Sequence, residues 1–250
     1  DLPDAARALY RRLGLHPGPD FSGEVAAVTS AAPTADTDLE LLCTANLVEE
    51  LDGDRYRFHD LVRLHARARA EVDDTAEQRE AAVSRFVDWY ATGAAAADRA
   101  VLGSRWRRGV HDLTTWSGRF DAASGMAWLV AERTNLLAAM RAAEKSGSHT
   151  TVWMMCESLW ALYHSYKNYS DWIESHELGV QAAQRCGADD TARAPGTVDD
   201  DICRLALLQF LDPENQITAR NIDAAGNAKP AVLLWSSNIE NDQIGRTILQ

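Results

Sequence analysis

Isoleucine is nearly missing from the first 200 of the 250 residues: Ile173 stands there alone, against Ile202, Ile217, Ile222, Ile239, Ile244 and Ile248 in the last fifty. Long apolar runs are missing too. No stretch approaches the roughly 20 apolar residues of a membrane helix, and no basic-then-apolar leader opens the chain. The four cysteines, Cys43, Cys156, Cys186 and Cys203, never stand as C-x-x-C, a pattern that fits reduced, buried thiols in a cytoplasmic protein. Basic residues are outnumbered, 25 Lys and Arg against 37 Asp and Glu, for a net charge of −12. That balance excludes a chain whose main business is neutralising phosphates. With 46% hydrophobic and 25% charged residues, most of the chain is expected to fold around a buried core. It opens at Asp1 and not Met, as expected of a processed chain or of a piece of something longer.

Catalytic patterns are also wanting. There is no G-x-x-x-x-G-K-[ST] phosphate loop, no acidic-ended apolar strand to hold magnesium beside one, and no G-x-S-x-G elbow. His59 and His65 lie six apart, off the i, i+4 face of a helical metal pair, and His176-Glu177 fails as H-E-x-x-H because position 180 is Val180. His59-Asp60 and His111-Asp112 are the only pairs that suggest a metal phosphohydrolase, and they lack the further ligands that chemistry needs. No catalytic residue and no metal site is assigned, and a non-enzyme is expected.

What is present reads mainly as helix. Asp4 to Leu13 carries Ala5, Leu9 and Leu13 at helical spacing and stops at Gly14 and Pro17. A second helix is expected over Phe21 to Ala32, capped by Ser22, and a third from Thr34 or Asp36 to Asn46, burying Leu39 and Leu42. The period then changes. Residues 47–51 and 55–59 alternate about Asp52-Gly53-Asp54, which predicts a β-hairpin. From Asp60 the helical period returns, with Leu61, Leu64, Ala68 and Val72 as the expected buried face. Three helices, a two-stranded wing and a following helix predict a winged-helix domain over 1–72. Its candidate recognition helix, 36–46, holds Asp36, Asp38 and Glu40 with no Lys or Arg, and Arg55 and Arg57 on the wing are too few to offset them. Direct DNA binding is therefore not expected.

A helical connector is expected over 73–148: a long helix at 76–101 with Val83, Phe86, Val87 and Tyr90 inside, a loop in which Arg105, Trp106, Arg107 and Arg108 are solvated, and a helix from Met126 to Lys145. Residues 150–167 and 170–186 then form two amphipathic helices, with Trp153, Cys156, Leu159, Trp160 and Tyr163 facing Trp172, Ile173, Leu178 and Ala182. Two such helices over 149–188 make one tetratricopeptide-like unit of a helical repeat. The fold class expected is mainly α, a winged helix followed by a helical bundle. Gly187 to Asp201 reads as a linker, and 189–250 as a divergent tail from another domain, a shifted frame or an insertion. A helix is expected at Asp201 to Leu211, and a strand or a buried helical turn at Ala231 to Trp235.

The stretch from Leu47 to Ala66, LVEELDGDRYRFHDLVRLHA, resembles the winged-helix segment of actinobacterial STAND-type NB-ARC regulators that accompany antibiotic-regulatory transcription factors. Residues 2–22 resemble the start of that domain, and 127–139 the stretch before that family's tetratricopeptide array; the resemblance covers roughly residues 1–188. It implies that Phe58-His59-Asp60 stands at the family's MHD motif, with His59 reaching the β-phosphate of bound ADP and Asp60 supporting it. It further implies a regulatory module that works through protein partners or an adjoining nucleotide-binding domain, with rearrangement switching an attached effector. With no phosphate loop here, ADP or ATP would bind only if a separate nucleotide-binding module is present, and in the isolated chain His59 is expected to pack or cap locally. Two other readings are a winged-helix DNA-binding protein and an accessory or enzymatic protein on a helical scaffold. No membrane partner is expected.

Overall fold

The computed structural model describes residues 2–30, 34–103, 105, 107, 109–189, 216–222 and 228–234. In chain order the elements are α1 (Asp4–Gly14), β1 (Asp20–Ser22), α2 (Gly23–Ser30), α3 (Ala35–Thr44), β2 (Glu49–Leu51), β3 (Arg55–Arg57), α4 (Asp60–Asp73) and α5 (Ala76–Leu102). A 3-10 turn (Thr114–Trp116) follows, then α6 (Ala122–Ala131), α7 (Arg133–Lys145), α8 (His149–Ser158), α9 (Trp160–Tyr166), α10 (Tyr169–Asp189), β4 (Gln216–Ile222) and β5 (Ala228–Leu234). The fold is mainly α with a small antiparallel sheet, as expected. No described helix is long and apolar enough to cross a membrane.

The hairpin forms where the alternation placed it, with Gly53 and Asp54 turning at φ of +73° and +57°. It gains a third strand that the sequence reading had assigned to a helix. Phe21 lies in β1, opposite Tyr56, and the sheet order is β1-β3-β2. The second helix therefore starts at Gly23; the Val25 N–H still donates to Ser22 Oγ at 3.4 Å, and residues 31–33 lie outside the described residues. Ala5 is exposed and Ala6 takes its place in the core.

Helix α4 is inverted relative to expectation. Ala66 and Ala70 are buried, while Leu61, Leu64 and Val72 stand 80%, 60% and 74% exposed. The helix has two apolar faces, and the one with small side chains lies inward because α1 approaches closely: a Cβ on Gly14 would lie 2.6 Å from that of Ala66.

The expected helix over 126–145 is broken at Glu132, and that over 150–167 at Leu159. Helix α10 runs through Gly187 to Asp189, into the expected linker, and Ile173 is exposed. The run at 231–235 is strand in its described part, with β5 pairing antiparallel to β4. The helix expected at 201–211 lies outside the described residues.

One apolar core runs through the head (residues 2–72), α5 and the helices after it, from Leu9 and Leu42 through Phe86 and Leu136 to Leu162 and Ala182. Capped by a reciprocal Thr75–Gln78 box, α5 is its axis. Its Ala-rich half fits beneath large rings: Trp89, Trp116 and Trp128 meet with centroids 5.1–5.6 Å apart, joined by Phe120. Gly93 is the floor of that cluster, since a Cβ there would lie 2.7 Å from Trp128 and 2.8 Å from Trp116. Gly93→Val is expected to lower stability by about 1–3 kcal/mol through overpacking, read as a reduced urea midpoint with an unchanged slope. A midpoint at or above the parent value would show that the rings can part.

Candidate interaction site

The sequence-predicted pair His59 and Asp60 sits where β3 gives way to α4. His59 has extended backbone (φ −66°, ψ 144°) at the helix N-cap, yet its side chain makes no cap bond. It is 67% exposed, with Nε2 3.9 Å from Glu49 Oε2. The expectation that His59 packs or caps locally is therefore corrected: the ring projects outward because the residues that fill the junction are Phe58 and Tyr10, in edge contact at 5.7 Å. Asp60, exposed in the first turn, is placed favourably at the positive end of α4.

The outward face of α4 continues from this corner. Leu61, Leu64, Ala68 and Val72 recur at intervals of three and four residues, forming one exposed apolar stripe. At helical periodicity His65 and Arg69 flank it on one side, Asp60 and Glu71 on the other. The opposite face is tied down. The Tyr10 hydroxyl donates to the Val62 carbonyl at 3.0 Å and lies 2.8 Å from His65 Nδ1. Arg63 donates to the His16 carbonyl, and Arg67 to the Gly14 carbonyl at 2.8 Å, closing the end of α1. The helix is thus held rigidly with its larger apolar residues in water.

The surface of α3 and of the hairpin is acidic. Asp36 and Glu40 on α3 are exposed, with Glu50, Asp52 and Asp54 beside them on the hairpin. Neither wing arginine is available: Arg57 donates to Glu49 at 2.7 Å, and Arg55 turns inward to Asp20 and Glu132. The acidic neighbours and burial push the Tyr56 phenol up to about 12.

Other candidates come apart. His111 is largely buried, its pKa lowered by burial and by Arg99, while Asp112 is exposed and bonds Thr114. No group of three or more His, Cys, Asp or Glu among the described residues could hold a metal. Burial raises the Cys156 thiol to about 12, so it is a poor nucleophile. The expected solvated arginines are not solvated. Arg105 and Arg107 both donate to Asp98, which is fully buried on α5; Trp106 and Arg108 lie outside the described residues.

Two interior polar residues escaped the sequence reading. His16 is fully buried between head and α5, its Nε2 2.9 Å from the Tyr90 hydroxyl, with the Gly18 N–H donating to Nδ1 at 3.2 Å. Asp98 reads as an ordinary helical acid. The available signals were Pro17 and Pro19 around His16, and the absence of charge on α5 from Asn-free Ala94 to Ala97 just before Asp98.

The molecule is thus a mainly helical protein whose distinguishing surface is an exposed apolar helix face beside the exposed His59, with no assembled catalytic set among the described residues. No protein-family profile matches it, and no solved structure matches it significantly. It is 34% identical over 255 residues to the regulatory protein AfsR of Streptomyces coelicolor, a match covering 94% of this chain and 24% of that protein. It is also 45% identical over 97 residues to the regulatory protein AfsR of Streptomyces griseus, covering 38% of this chain and 10% of that protein. The chain spans about a quarter of the first relative's length and a tenth of the second's. Coverage of 94% carries the likeness well past residue 188 into the Ile-rich segment, beyond where the sequence reading ended it.

Proposed function

We propose that this chain is a non-catalytic interaction module of a STAND-type transcriptional regulator, acting in the cytoplasm. The order helix, strand, two helices and hairpin supports a winged-helix reading of the head. The packing of α8 against α10 supports a tetratricopeptide-like reading of 149–188. The name shared by the two relatives supports a regulatory role. The observation that carries the proposal is the α4 stripe. A rigid helix that keeps Leu61, Leu64 and Val72 in water beside the exposed His59 is built to be covered by another protein surface.

His59 and Asp60 do not make a nucleotide site by themselves. One ring donor beside a carboxylate offers no cradle of backbone N–H groups. They fit ADP or ATP only as a contact added to phosphates held by an adjoining nucleotide-binding module, which is the partner proposed for the stripe. The acidic α3 and the two paired wing arginines stand against DNA as that partner.

The test is a hydrogen-exchange footprint of the chain mixed with the S. coelicolor regulator from which the matched quarter has been removed. Protection is expected over residues 58–73, and Leu61→Asp with Leu64→Asp should abolish it while changing stability by no more than about 0.5 kcal/mol, as for surface positions. Undiminished binding by the double variant, or protection confined to other segments, would end the reading.

A further inference from the structure

Several polar contacts cross the seam between the head and the helices that follow, among them the His16–Tyr90 bond and the exposed Arg119–Glu24 pair, and at one place they gather into a larger cluster. There Arg55, in the central strand β3, reaches out of the head and donates to Asp20 on β1 and to Glu132. Its charge is opposed by burial, but Glu132 and Asp20 together outweigh this and raise its pKa. Glu132 is the single residue between α6 and α7, and its side chain is 3% exposed. One turn on, Asn135 donates to Glu132 Oε2 at 2.6 Å and to Asp20 Oδ1 at 3.2 Å.

Three features set this cluster apart from a simple bridge. First, the helix is interrupted at Glu132 although Val130-Ala131-Glu132-Arg133-Thr134 contains no Gly or Pro. Such interruptions need a cause, and the one at hand is the carboxylate turned into the Arg55 site. Second, one guanidinium faces two carboxylates, so the closed seam holds unbalanced negative charge. Third, Asn135 Oδ1 is buried with no hydrogen-bond partner among the described residues. It faces Gly18, where a Cβ would collide with it. The closed arrangement leaves polar groups incompletely satisfied, and water entering the seam would satisfy them. An apolar seam gains nothing from water.

We propose that Arg55, Asp20, Glu132 and Asn135 form a hydratable latch, a local two-state joint through which movement of the β2–β3 hairpin and the bend between α6 and α7 are coupled. The apolar core around α5 stays closed while the latch opens, because it is held by fully buried side chains such as Phe86, Leu129 and Met140. Charged groups taken from water lose in desolvation much of what they gain by pairing, so closed and hydrated states lie near one another in free energy. This does not rest on the docking reading, since the latch shares no residue with the α4 stripe and its test needs no partner.

The experiment is hydrogen exchange followed by mass spectrometry on the full chain, comparing peptides over 16–22, 49–58 and 128–136 with a reference over 86–97. Glu132→Gln should speed exchange in the three latch peptides together and leave the reference unchanged. Arg55→Met combined with Glu132→Leu and Asn135→Leu replaces the seam-facing part of the latch by apolar side chains, leaves the 34% exposed Asp20 carboxylate to water, and should slow the three together, by about tenfold or more if the seam gains the stability such replacements can give. A merely structural bridge would move the reference along with the latch peptides, or move 128–136 alone. Either result overturns the proposal. If the triple variant does not fold, Glu132→Gln decides by the same criterion.

Discussion

Asp98→Ala should destabilise the protein by about 3–5 kcal/mol, as expected for removal of one partner from a buried ion pair. Asp98 Oδ2 accepts from Arg105 Nη2 at 3.0 Å and from Arg107 Nε at 2.5 Å, and the Asp98 carbonyl accepts from Arg107 Nη2 at 2.9 Å. The same segment is fastened to α8, where Arg105 Nη2 donates to the Glu157 carbonyl at 3.0 Å and the Gly109 N–H to the Glu157 carboxylate at 2.8 Å. Asp98 is therefore the counter-charge that lets an irregular stretch lie across two helices. Without it two partly covered guanidiniums face only carbonyls, and the stretch should lift away. Limited trypsin digestion at Arg105 and Arg107 should become fast, while sites within the helices α5 to α8 are cut only after global unfolding. Asp98→Asn keeps a hydrogen-bond acceptor but not the charge, and should fall between the two. If Asp98→Ala resists trypsin as the parent does and its urea midpoint is unchanged, the segment is held by other contacts.

The ease of reading this fold from its sequence varied with how local the cause was. Helices α1, α3 and α5 and the β2–β3 hairpin follow from periodicity and turn residues within each segment, and they stand where the sequence placed them. Strand β1 was hidden because three residues carry no period and its partner strand lies 33 to 37 residues away in register, Asp20 against Arg57 and Ser22 against Arg55. The face of α4 was inverted because both of its sides are apolar and size alone suggested the larger; closeness to Gly14 selects the smaller. The interruption at Glu132 has no local breaker, so its cause, Arg55, is visible only in three dimensions. The site was legible in name and not in setting. Resemblance pointed to His59 and Asp60, but their exposure and the stripe beside them emerge only once α4 is packed.

His16 should make the protein acid-labile well above the carboxylate range. Burial, aided by Arg63 and Arg55, lowers its pKa to about 3, against the raising effects of the Gly18 backbone bond and Asp20. The ring is neutral, with Nδ1 within hydrogen-bond reach of both the Gly18 carbonyl (3.3 Å) and the Gly18 N–H (3.2 Å) and Nε2 2.9 Å from the Tyr90 hydroxyl. The ordinary value is 6.5, so the unfolded chain takes up a proton as pH falls below 6.5, whereas the folded chain refuses it until about 3. A folded-state pKa depressed in this way gives stability that is fully present above 6.5 and declines as pH drops towards 3, by up to about 1.4 kcal/mol per pH unit. Between roughly pH 6.5 and 5.5 ordinary carboxylates have barely begun to titrate, so the slope there belongs to histidine. His111 and His164, also lowered chiefly by burial, add in the same direction. Urea unfolding at a series of pH values should show the decline in the parent, and His16→Gln should flatten it to the remainder set by the other two. The comparison uses slopes, so any fixed loss of stability from placing an amide in that site does not affect it. An equal slope in His16→Gln would mean that His16 takes up its proton in the folded protein, and the packing of residues 16–20 against α5 would have to be looser than these contacts describe.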